Sequence, residues 1–473
     1  MEIIQGGMGV GVSSWGLARA VSMQGQLGVV SGTALDTTLV RRLADGDVDG
    51  ALRRAIRAFP DPVFASEVLE RYFRPQGRGG EAYPALRMLS HKADPFRERL
   101  LVLANFVEVF LAKEDHQGQI GINYLTKIRL PTLPSLFGAM LADVDYVLMG
   151  AGIPWDVPGA LDALARGESA ELRFDIAGDT GAPPERLTFD PAWKGLARRS
   201  LRRPGFLPIV SSHTLATALI RRATGSIEGF VVEGPTAGGH NAPPRGRGTT
   251  DSLGQPVYGA RDVADLDRIA ALDLPFWLAG GCGSPEKLRE ARAAGAAGVQ
   301  VGTLFAFAAE SGLGADMKDE VVRRATRGQL SVMTDGRASP TGFPFKTVAL
   351  DGSLSDPEVY SERERVCDLG YLREAHRRDD GRVVFRCPAE PVETYTKKGG
   401  AMEDTVGRRC LCNALVANVG LAQERSTGAI EAPLLTSGDD LLMLGDFLDG
   451  RVTYSASDVV SYLLEPATAI ALE

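Results

Sequence analysis

Residues 275–303 read PFWLAGGCGSPEKLREARAAGAAGVQVGT. Two short apolar runs, 275–279 and 298–301, have the composition of buried β-strands, and each is followed by glycine. The Ala-rich, charged segment 285–294 between them is typical of a surface helix. The stretch therefore predicts a strand–helix–strand unit, from which parallel sheets covered by helices are built.

The same alternation extends towards the N-terminus. Helical segments, among them residues 14–24, 36–57 and 213–224, separate further β-type runs that end in glycine or polar residues. The eight predicted strands are residues 2–4, 27–31, 119–123, 145–149, 207–211, 229–233, 275–279 and 298–301. Eight strand–helix units predict an α/β fold in which the sheet closes into a TIM (β/α)8 barrel.

Three segments interrupt this alternation. Residues 60–117 contain two helical stretches and no strand, and residues 171–190 alternate apolar and polar positions around a turn, which predicts a hairpin. After residue 330 helical patterns dominate. The predicted domains are a barrel over 1–59 and 118–330 with the hairpin near 171–190, a helical insertion over 60–117 and a C-terminal helical extension over 331–473.

The composition limits the class of protein. Of the 473 residues 44% are hydrophobic and 24% are charged, with a net charge of -8. This balance is typical of globular proteins and provides no basic face for nucleic acid or anionic membranes. No targeting segment and no apolar stretch of membrane-spanning length is evident in the sequence. We therefore expect a cytoplasmic protein without nucleic-acid or membrane partners.

The predicted strand 229–233 is followed by GPTAGGHN, which includes Gly238, Gly239 and His240. Adjacent glycines let the backbone approach a ligand closely, and TIM barrels collect their catalytic groups at the ends of strands. Imidazole transfers protons near neutral pH. Taken alone, the motif is better explained as a loop histidine between turn-forming glycines. Its position in the predicted barrel makes His240 the candidate catalytic acid or base.

Glycine also follows the seventh and eighth predicted strands, in Gly280-Gly281-Cys282-Gly283 and in Gly302-Thr303. In TIM barrels these two loops commonly bind phosphate, because glycine amides and a helix N-terminus converge on the anion. The pair predicts a site for one phosphate group, which suits a mononucleotide better than a dinucleotide.

Together these motifs resemble the nitronate monooxygenase family, formerly called 2-nitropropane dioxygenases, and the related FMN-dependent enoyl-ACP reductases. The resemblance covers the barrel through residues 5–9 (QGGMG), 17–30, 121–123, 152–154 and the two glycine loops. It implies an FMN-dependent oxidoreductase in which His240 faces the substrate above the flavin. The residues that it places around FMN are Gly7, Met8, Asn123, Gly238, Gly281, Gln300, Gly302 and Thr303.

Glu233 departs from the pattern of the nitronate-oxidising members, many of which have glutamine at this strand end. The enoyl reductases tend to have glutamate there. Two roles remain open for Glu233, contact with the cofactor or capping of loop amides. The length of the chain, the predicted hairpin and the segment SPTGFPFK at 339–346 also resemble enoyl reductases associated with polyketide and polyunsaturated fatty-acid synthases.

The resemblance implies two reactions. The first is oxidation of an alkyl nitronate with O2, in which His240 would deprotonate a nitroalkane or stabilise the nitronate. The alternative is reduction of an enoyl thioester of CoA or an acyl carrier protein, with NAD(P)H as reductant. A non-catalytic flavin-binding barrel is a third hypothesis. The expected ligand is a small molecule or acyl thioester, and candidate partners are a second copy of the chain, as in a homodimer, or an acyl carrier protein.

Cationic and thiol side chains give weaker signals. Arg245, Arg247 and Lys127 could bind a phosphate of NAD(P)H or of a thioester carrier, with solvation at the surface as the alternative. Four C-terminal cysteines could bind zinc or an iron–sulfur cluster, but they lack a Cys-x-x-Cys element. Packing of buried thiols is the favoured interpretation, and no metal site is predicted. These cysteines are Cys367, Cys387, Cys410 and Cys412.

Overall fold

The computed structural model describes residues 1–178, 184–192, 200–246 and 248–466. The strands are β1 (Ile3–Gln5), β2 (Gly28–Ser31), β3 (Ile120–Leu125), β4 (Tyr146–Gly150), β5 (Ala170–Phe174), β6 (Glu185–Phe189), β7 (Gly205–Val210), β8 (Phe230–Glu233), β9 (Phe276–Ala279), β10 (Gly298–Val301), β11 (Val332–Asp335), β12 (Phe345–Val348), β13 (Glu374–Arg377) and β14 (Val383–Arg386).

The helices are α1 (Trp15–Met23), α2 (Leu35–Ala44), α3 (Ala51–Arg57), α4 (Pro62–Tyr72), α5 (Pro95–Lys113), α6 (Thr132–Leu141), α7 (Val157–Ala165), α8 (His213–Arg222), α9 (Leu266–Ala270), α10 (Pro285–Ala293), α11 (Thr303–Ala306), α12 (Ala315–Ala325), α13 (Pro357–Glu362), α14 (Val392–Lys397), α15 (Leu411–Ala417), α16 (Leu444–Leu448) and α17 (Ala456–Leu463). Short 3-10 helices span Ala260–Asp262, Met402–Thr405 and Asp439–Met443.

Eight parallel strands form one sheet in the order β1-β10-β9-β8-β7-β4-β3-β2. The two ends of this order meet, because Leu27 N donates to Ile3 O at 3.1 Å and Gln5 N donates to Leu27 O at 2.9 Å. The sheet is therefore a barrel, as the alternation of strands and helices predicts. Every predicted barrel strand is present, with its ends shifted by two residues or fewer.

The interior of the barrel is filled by apolar side chains from its strands. Alternate residues of a strand point to opposite faces, so one set fills the interior while the other packs under the helices. Gly28 in β2 shows how closely a helix approaches, because a Cβ atom there would lie 1.8 Å from the carbonyl oxygen of Ala18 in α1. The buried residues of the interior cluster are Ile4, Leu27, Val29, Leu148, Leu207, Val231, Trp277 and Ala279.

The helix predicted over 36–57 is wrong as a single element, since the structure has two helices, α2 and α3. Asp47 and Gly50 between them adopt positive φ angles of 41° and 72°, which end a right-handed helix. The Asp47 carboxylate then accepts hydrogen bonds from the amides of Leu52 and Arg53 at the start of α3. The polar, glycine-containing run DGDVDG at residues 45–50 marks this break in the sequence, and the prediction wrongly joined the helical patterns on its two sides.

The segment 60–117 contains the two predicted helices, α4 and α5. Most residues of α5 are buried, and this helix packs against α1, α2 and α6. It therefore covers the barrel between β2 and β3, as helices do elsewhere in the fold. In the described parts of the chain no helix has both the length and the apolar character needed to cross a membrane.

The predicted hairpin is present as β5 and β6, which pair antiparallel with Leu172 opposite Leu187. Most of its turn, residues 179–183, lies outside the described residues.

The extension after residue 330 is only partly helical. It contains two antiparallel hairpins, β11–β12 and β13–β14, which the sequence did not predict. Its strands are only four residues long, too short for a clear alternation in the sequence. The segment around β12 also pairs with the barrel, because Lys346 N donates to Gly239 O and Asn241 N donates to Pro344 O, both at 2.9 Å. The division of the chain at 60, 118 and 331 stays a prediction.

Candidate active site

A cavity of about 220 Å³ lies at the carboxyl ends of the barrel strands. One wall is formed by strand ends and the loops that follow them, and the other by the C-terminal extension. All the residues predicted for the site line this one cavity, although their roles stay predictions. They are His240, Gly7, Met8, Asn123, Glu233, Gly238, Gly281, Gln300, Gly302 and Thr303.

The loop after β1 is held tightly against the barrel. The buried Gln5 amide donates to Ser13 Oγ at 2.8 Å, and its oxygen accepts from Val29 N at 2.9 Å. At Gly7 a Cβ atom would lie 2.3 Å from the Cβ of Asn123. Only glycine fits there, so backbone rather than side chain faces the cavity.

Two buried acceptors in the cavity wall, Asn123 Oδ1 and Gln300 Oε1, have no hydrogen-bond partner among the residues that the structure describes. Leaving such an atom unsatisfied costs about 1–3 kcal/mol, so these positions are the ones a bound ligand would complete. Asn123 Nδ2 donates to Gly7 O at 3.3 Å, which orients its free oxygen. A polar heterocycle with N–H and O–H donors, such as FMN, matches this pair of acceptors.

The glycine loops have the conformation that their residue type allows. Gly280 and Gly281 have φ angles of +87° and +66°, and a Cβ atom on Gly280 would lie 2.8 Å from Ala237 N. At Gly302 a Cβ atom would lie 3.3 Å from the Met8 sulfur. The residues present therefore fit the phosphate end of a mononucleotide.

His240 is held by two residues of the extension. Its Nε2 atom lies 2.7 Å from Ser339 Oγ, and its ring packs edge-on against Phe345 with centroids 4.9 Å apart. Ser339 is fully buried and also hydrogen-bonds Thr341. Burial, with a smaller contribution from the nearby Lys127 charge, lowers the pKa of His240 to about 4. The imidazole is therefore neutral near pH 7.

The carboxyl group of Glu233, like the imidazole of His240, is uncharged near neutral pH, but it is uncharged because it keeps its proton. Burial raises the pKa of its carboxyl group to about 8, so the group is protonated near neutral pH. In the described part of the chain no loop amide donates to this carboxyl, and the capping role is therefore not observed. The side chain also lines a second, smaller cavity beside Arg245 and Tyr258.

The cationic candidates are separated from one another. Lys127 lies over the Phe343 ring, 3.5 Å from its centroid, and burial lowers its pKa to about 8. Arg245 donates to Ser211 O at 3.1 Å at the exposed side of the smaller cavity. Arg247 lies outside the described residues.

The four C-terminal cysteines do come together, around one small void. Burial raises the pKa of each thiol, so all four are protonated near neutral pH. Among the described residues no group of three or more His, Cys, Asp or Glu side chains has an arrangement that could hold a metal ion.

The second wall of the cavity was not predicted residue by residue. Only the motif at 339–346 pointed to it, through Ser339 and Phe345. The residues of the extension that line the cavity are Phe345, Tyr371, Leu372, Leu411, Cys412, Leu415, Asn418, Leu435, Thr436, Ser437, Gly438 and Asp440. They come from separate segments and have no common spacing, so no local signal identifies them.

Comparison with known proteins agrees with the resemblance inferred from the sequence. The family model of nitronate monooxygenase matches residues 194–337, which include the His240 loop and both glycine loops. The match confirms the resemblance over this segment of the chain. No protein with a curated description matches the chain significantly.

Solved structures with a similar fold include FabK from Thermotoga maritima, with 15% identity and a TM-score of 0.48 over 98% of this chain and 91% of that one. Nitroalkane oxidase from Streptomyces ansochromogenes has 16% identity and a TM-score of 0.43 over 98% and 94%. The enoyl reductase domain of MlnA from Bacillus amyloliquefaciens has 10% identity and a TM-score of 0.46 over 98% and 94%.

Proposed function

We propose that this chain is an FMN-dependent oxidoreductase of the nitronate monooxygenase type, which oxidises alkyl nitronates with O2. The observation that carries the proposal is that the predicted flavin residues and His240 all line one cavity of the barrel. The family model of nitronate monooxygenase matches residues 194–337 of the same barrel. When bound, FMN supplies two-electron transfer and reaction with oxygen.

The residues of the chain would bind the cofactor and orient the substrate. The backbone at Gly281 and Gly302 and the Thr303 hydroxyl would hold the phosphate of FMN, and Asn123 Oδ1 and Gln300 Oε1 would accept hydrogen bonds from its polar groups. Neutral His240 accepts a proton from the α-carbon of a nitroalkane, or donates a hydrogen bond to a nitronate oxygen, according to its tautomer. Ser339 sets the direction of the ring.

A second reaction, reduction of an enoyl thioester with NAD(P)H, is favoured by one observation. Saturating an activated double bond requires a proton as well as a hydride, and a carboxyl group with a pKa of about 8 is a proton donor at neutral pH. Glu233 would fill this role within the same cavity.

Anaerobic stopped-flow mixing tests the proposal and separates the two reactions. The purified protein is mixed with an alkyl nitronate, with NADPH or with NADH, and the visible absorbance of the flavin is followed. Bleaching by the nitronate alone supports the first reaction. Fast bleaching by a nicotinamide supports enoyl reduction, and a protein that binds no flavin contradicts both.

A further inference from the structure

The hydroxyl group of Ser339 has three hydrogen-bonding contacts. Thr341 N donates to Ser339 Oγ at 3.2 Å, and Thr341 Oγ1 lies 2.8 Å from the same oxygen. The third contact is His240 Nε2, at 2.7 Å. A hydroxyl group has one hydrogen and two acceptor lone pairs. Because the amide can only donate, Ser339 must donate its hydrogen to one of the other two contacts and accept from the other.

The Thr341 hydroxyl distinguishes these two arrangements. Its oxygen accepts from Phe343 N at 3.5 Å, and among the described residues Ser339 Oγ is the one acceptor for its hydrogen. If Thr341 Oγ1 donates to Ser339 Oγ, the Ser339 hydrogen goes to His240 Nε2 and every hydrogen of the network is used. In the reverse arrangement the Thr341 hydroxyl would lose its hydrogen bond as a donor. The complete network therefore makes Nε2 an acceptor.

The charge of Lys127 favours the same arrangement. Its Nζ atom donates to Thr341 O at 3.3 Å and lies over the Phe343 ring, so the cation is beside the segment that contacts Nε2. A positive charge there attracts a nitrogen lone pair and repels an N–H group. With a pKa of about 4, the imidazole of His240 is neutral near pH 7 and carries a single N–H. When Nε2 is the acceptor, that N–H is on Nδ1.

Nδ1 of His240 is the ring nitrogen that remains for a ligand. Within the described part of the chain it has no hydrogen-bond partner, and unlike Nδ1 of His91 and His376 it is not completely buried. His240 lines the main cavity. We propose that Ser339 and Thr341 are positioning residues that fix His240 in the Nδ1–H form, so that the ring presents a hydrogen-bond donor, and not a base, to the cavity.

A donor at this position selects the charge state of the substrate. An alkyl nitronate carries negative charge on its oxygens and accepts a hydrogen bond from Nδ1–H. A neutral nitroalkane must first give a proton from its α-carbon to a base, and the lone pair of Nε2 is already occupied by Ser339. The chain therefore takes up the preformed anion and does not generate it. This inference rests on the proposed function.

Nitrogen NMR of isotope-labelled histidine side chains tests the tautomer without any assay of activity. The chain has 5 histidines, so the spectrum is simple, and the signal missing from His240→Gln identifies His240. A protonated and an unprotonated ring nitrogen differ strongly in chemical shift. Near neutral pH we expect His240 to be protonated at Nδ1 alone. A parent chain in which His240 is protonated at Nε2, or at both nitrogens, overturns the inference and leaves the proposed function intact.

Two variants test the roles of the hydroxyl groups in the same spectrum. Thr341→Val keeps the shape and the backbone amide but removes the hydrogen given to Ser339, and Ser339→Ala removes the partner of Nε2. In both we expect the Nε2–H form to appear. Ser353→Ala is the matched control, since Ser353 is buried, pairs with the Ser355 hydroxyl at 2.7 Å and lies outside the cavity lining. Unchanged tautomers in both variants overturn the inference. If Ser339→Ala fails to fold, the parent and Thr341→Val decide.

Anaerobic flavin bleaching by nitroethane and by its preformed nitronate, mixed before the two forms interconvert, tests the consequence for the substrate. In the parent, kcat/KM for the nitronate should exceed that for nitroethane by about a hundredfold or more, because no base is presented. In Ser339→Ala the value for the nitronate should fall about fivefold and the value for nitroethane should not fall. Similar values for both substrates in the parent overturn the inference. If neither substrate bleaches the flavin while the Nδ1–H form is observed, the proposed function fails and the tautomer assignment stands.

Discussion

The two walls of the cavity are held in different ways. On the barrel side, Gly7, Gly281 and Gly302 present backbone from short loops directly after strands, and the sheet holds those loops in place. On the extension side, Asp440 lines the cavity and Ser339 hydrogen-bonds His240, and both come from segments more than thirty residues after the last barrel strand. The barrel side would bind the proposed cofactor. The extension side would set the orientation and protonation of the side chains beside it.

This difference has a chemical consequence. Backbone amides of the barrel loops do not ionise near neutral pH, so their contribution to binding changes little with pH. The extension buries His240 and supplies its hydrogen-bond partner, which determines the protonation and direction of the imidazole. Substitutions on the barrel side should therefore change mainly flavin binding, and those around Ser339 should change mainly turnover.

The largest effect is expected on the barrel side, for Gly281→Asp. A carboxylate about 4 Å from the phosphate costs about 4 kcal/mol at an effective dielectric constant of 20, which corresponds to a loss of FMN affinity of several hundredfold. Gly281→Asn is the matched control, with a similar shape, the same positive φ and no charge. Flavin titration and thermal melting of the apoproteins measure both. Equal affinities in the two variants would show that the phosphate does not bind beside Gly281.

His240→Ala should lower turnover per bound flavin by roughly a hundredfold or more, the usual scale of general acid–base catalysis. Flavin content should remain, because the cofactor is held mainly by other residues. His213→Ala, at the start of α8 and outside the cavity lining, is the control. Rates are measured with whichever substrate reduces the flavin. A variant that loses flavin but keeps its normalised rate would show that His240 is structural.

Ser339→Ala tests the extension side and should lower normalised turnover by about fivefold, the value of one hydrogen bond of about 1 kcal/mol. Flavin affinity should not change. Thr341→Ala removes the hydroxyl partner of Ser339, keeps the hydrogen bond from the Thr341 backbone amide and does not touch His240, so it should have a smaller effect on kcat. A larger loss in Thr341→Ala than in Ser339→Ala would contradict a positioning role for Ser339.

For nitronate oxidation, the smallest effect at neutral pH is expected for Glu233→Gln, and it should grow as the pH rises. The carboxyl group loses its proton through a pKa of about 8, so above that value the parent carries an extra negative charge in the cavity and its turnover falls. Glutamine cannot ionise, and the variant should lack this fall. Profiles of kcat/KM between pH 6 and about 9.5 measure it. The same alkaline decline in both proteins would assign it to another group.

Much of the fold could be predicted because its signals are local. Each barrel strand is a short apolar run that ends in glycine or a polar residue, and the alternation with helices requires a parallel sheet. The break between α2 and α3 was missed although glycines and aspartates mark it at residues 45–50, because the helical patterns on its two sides were joined into one helix. The four-residue strands β11 to β14 were missed because they are too short to show a period.

The predicted residues of the site share one property, their position directly after a barrel strand. Strand ends converge by the symmetry of the barrel, so residues such as Asn123 and Gln300 meet although 177 positions separate them in the sequence. Asp440 and Ser339 do not directly follow barrel strands, so the symmetry of the barrel does not determine their positions. Their approach depends on where the extension folds back, and that depends on many weak contacts.

The sequence by itself determined the barrel and the loops that reach its carboxyl edge, because strand periodicity and glycine torsions depend on a few neighbouring residues. Only the tertiary structure decided that His240 is neutral, that Glu233 is protonated and that Asp440 of the extension lines the cavity. The pKa of a side chain follows from burial and from nearby charges, and these are supplied by residues far away in the chain.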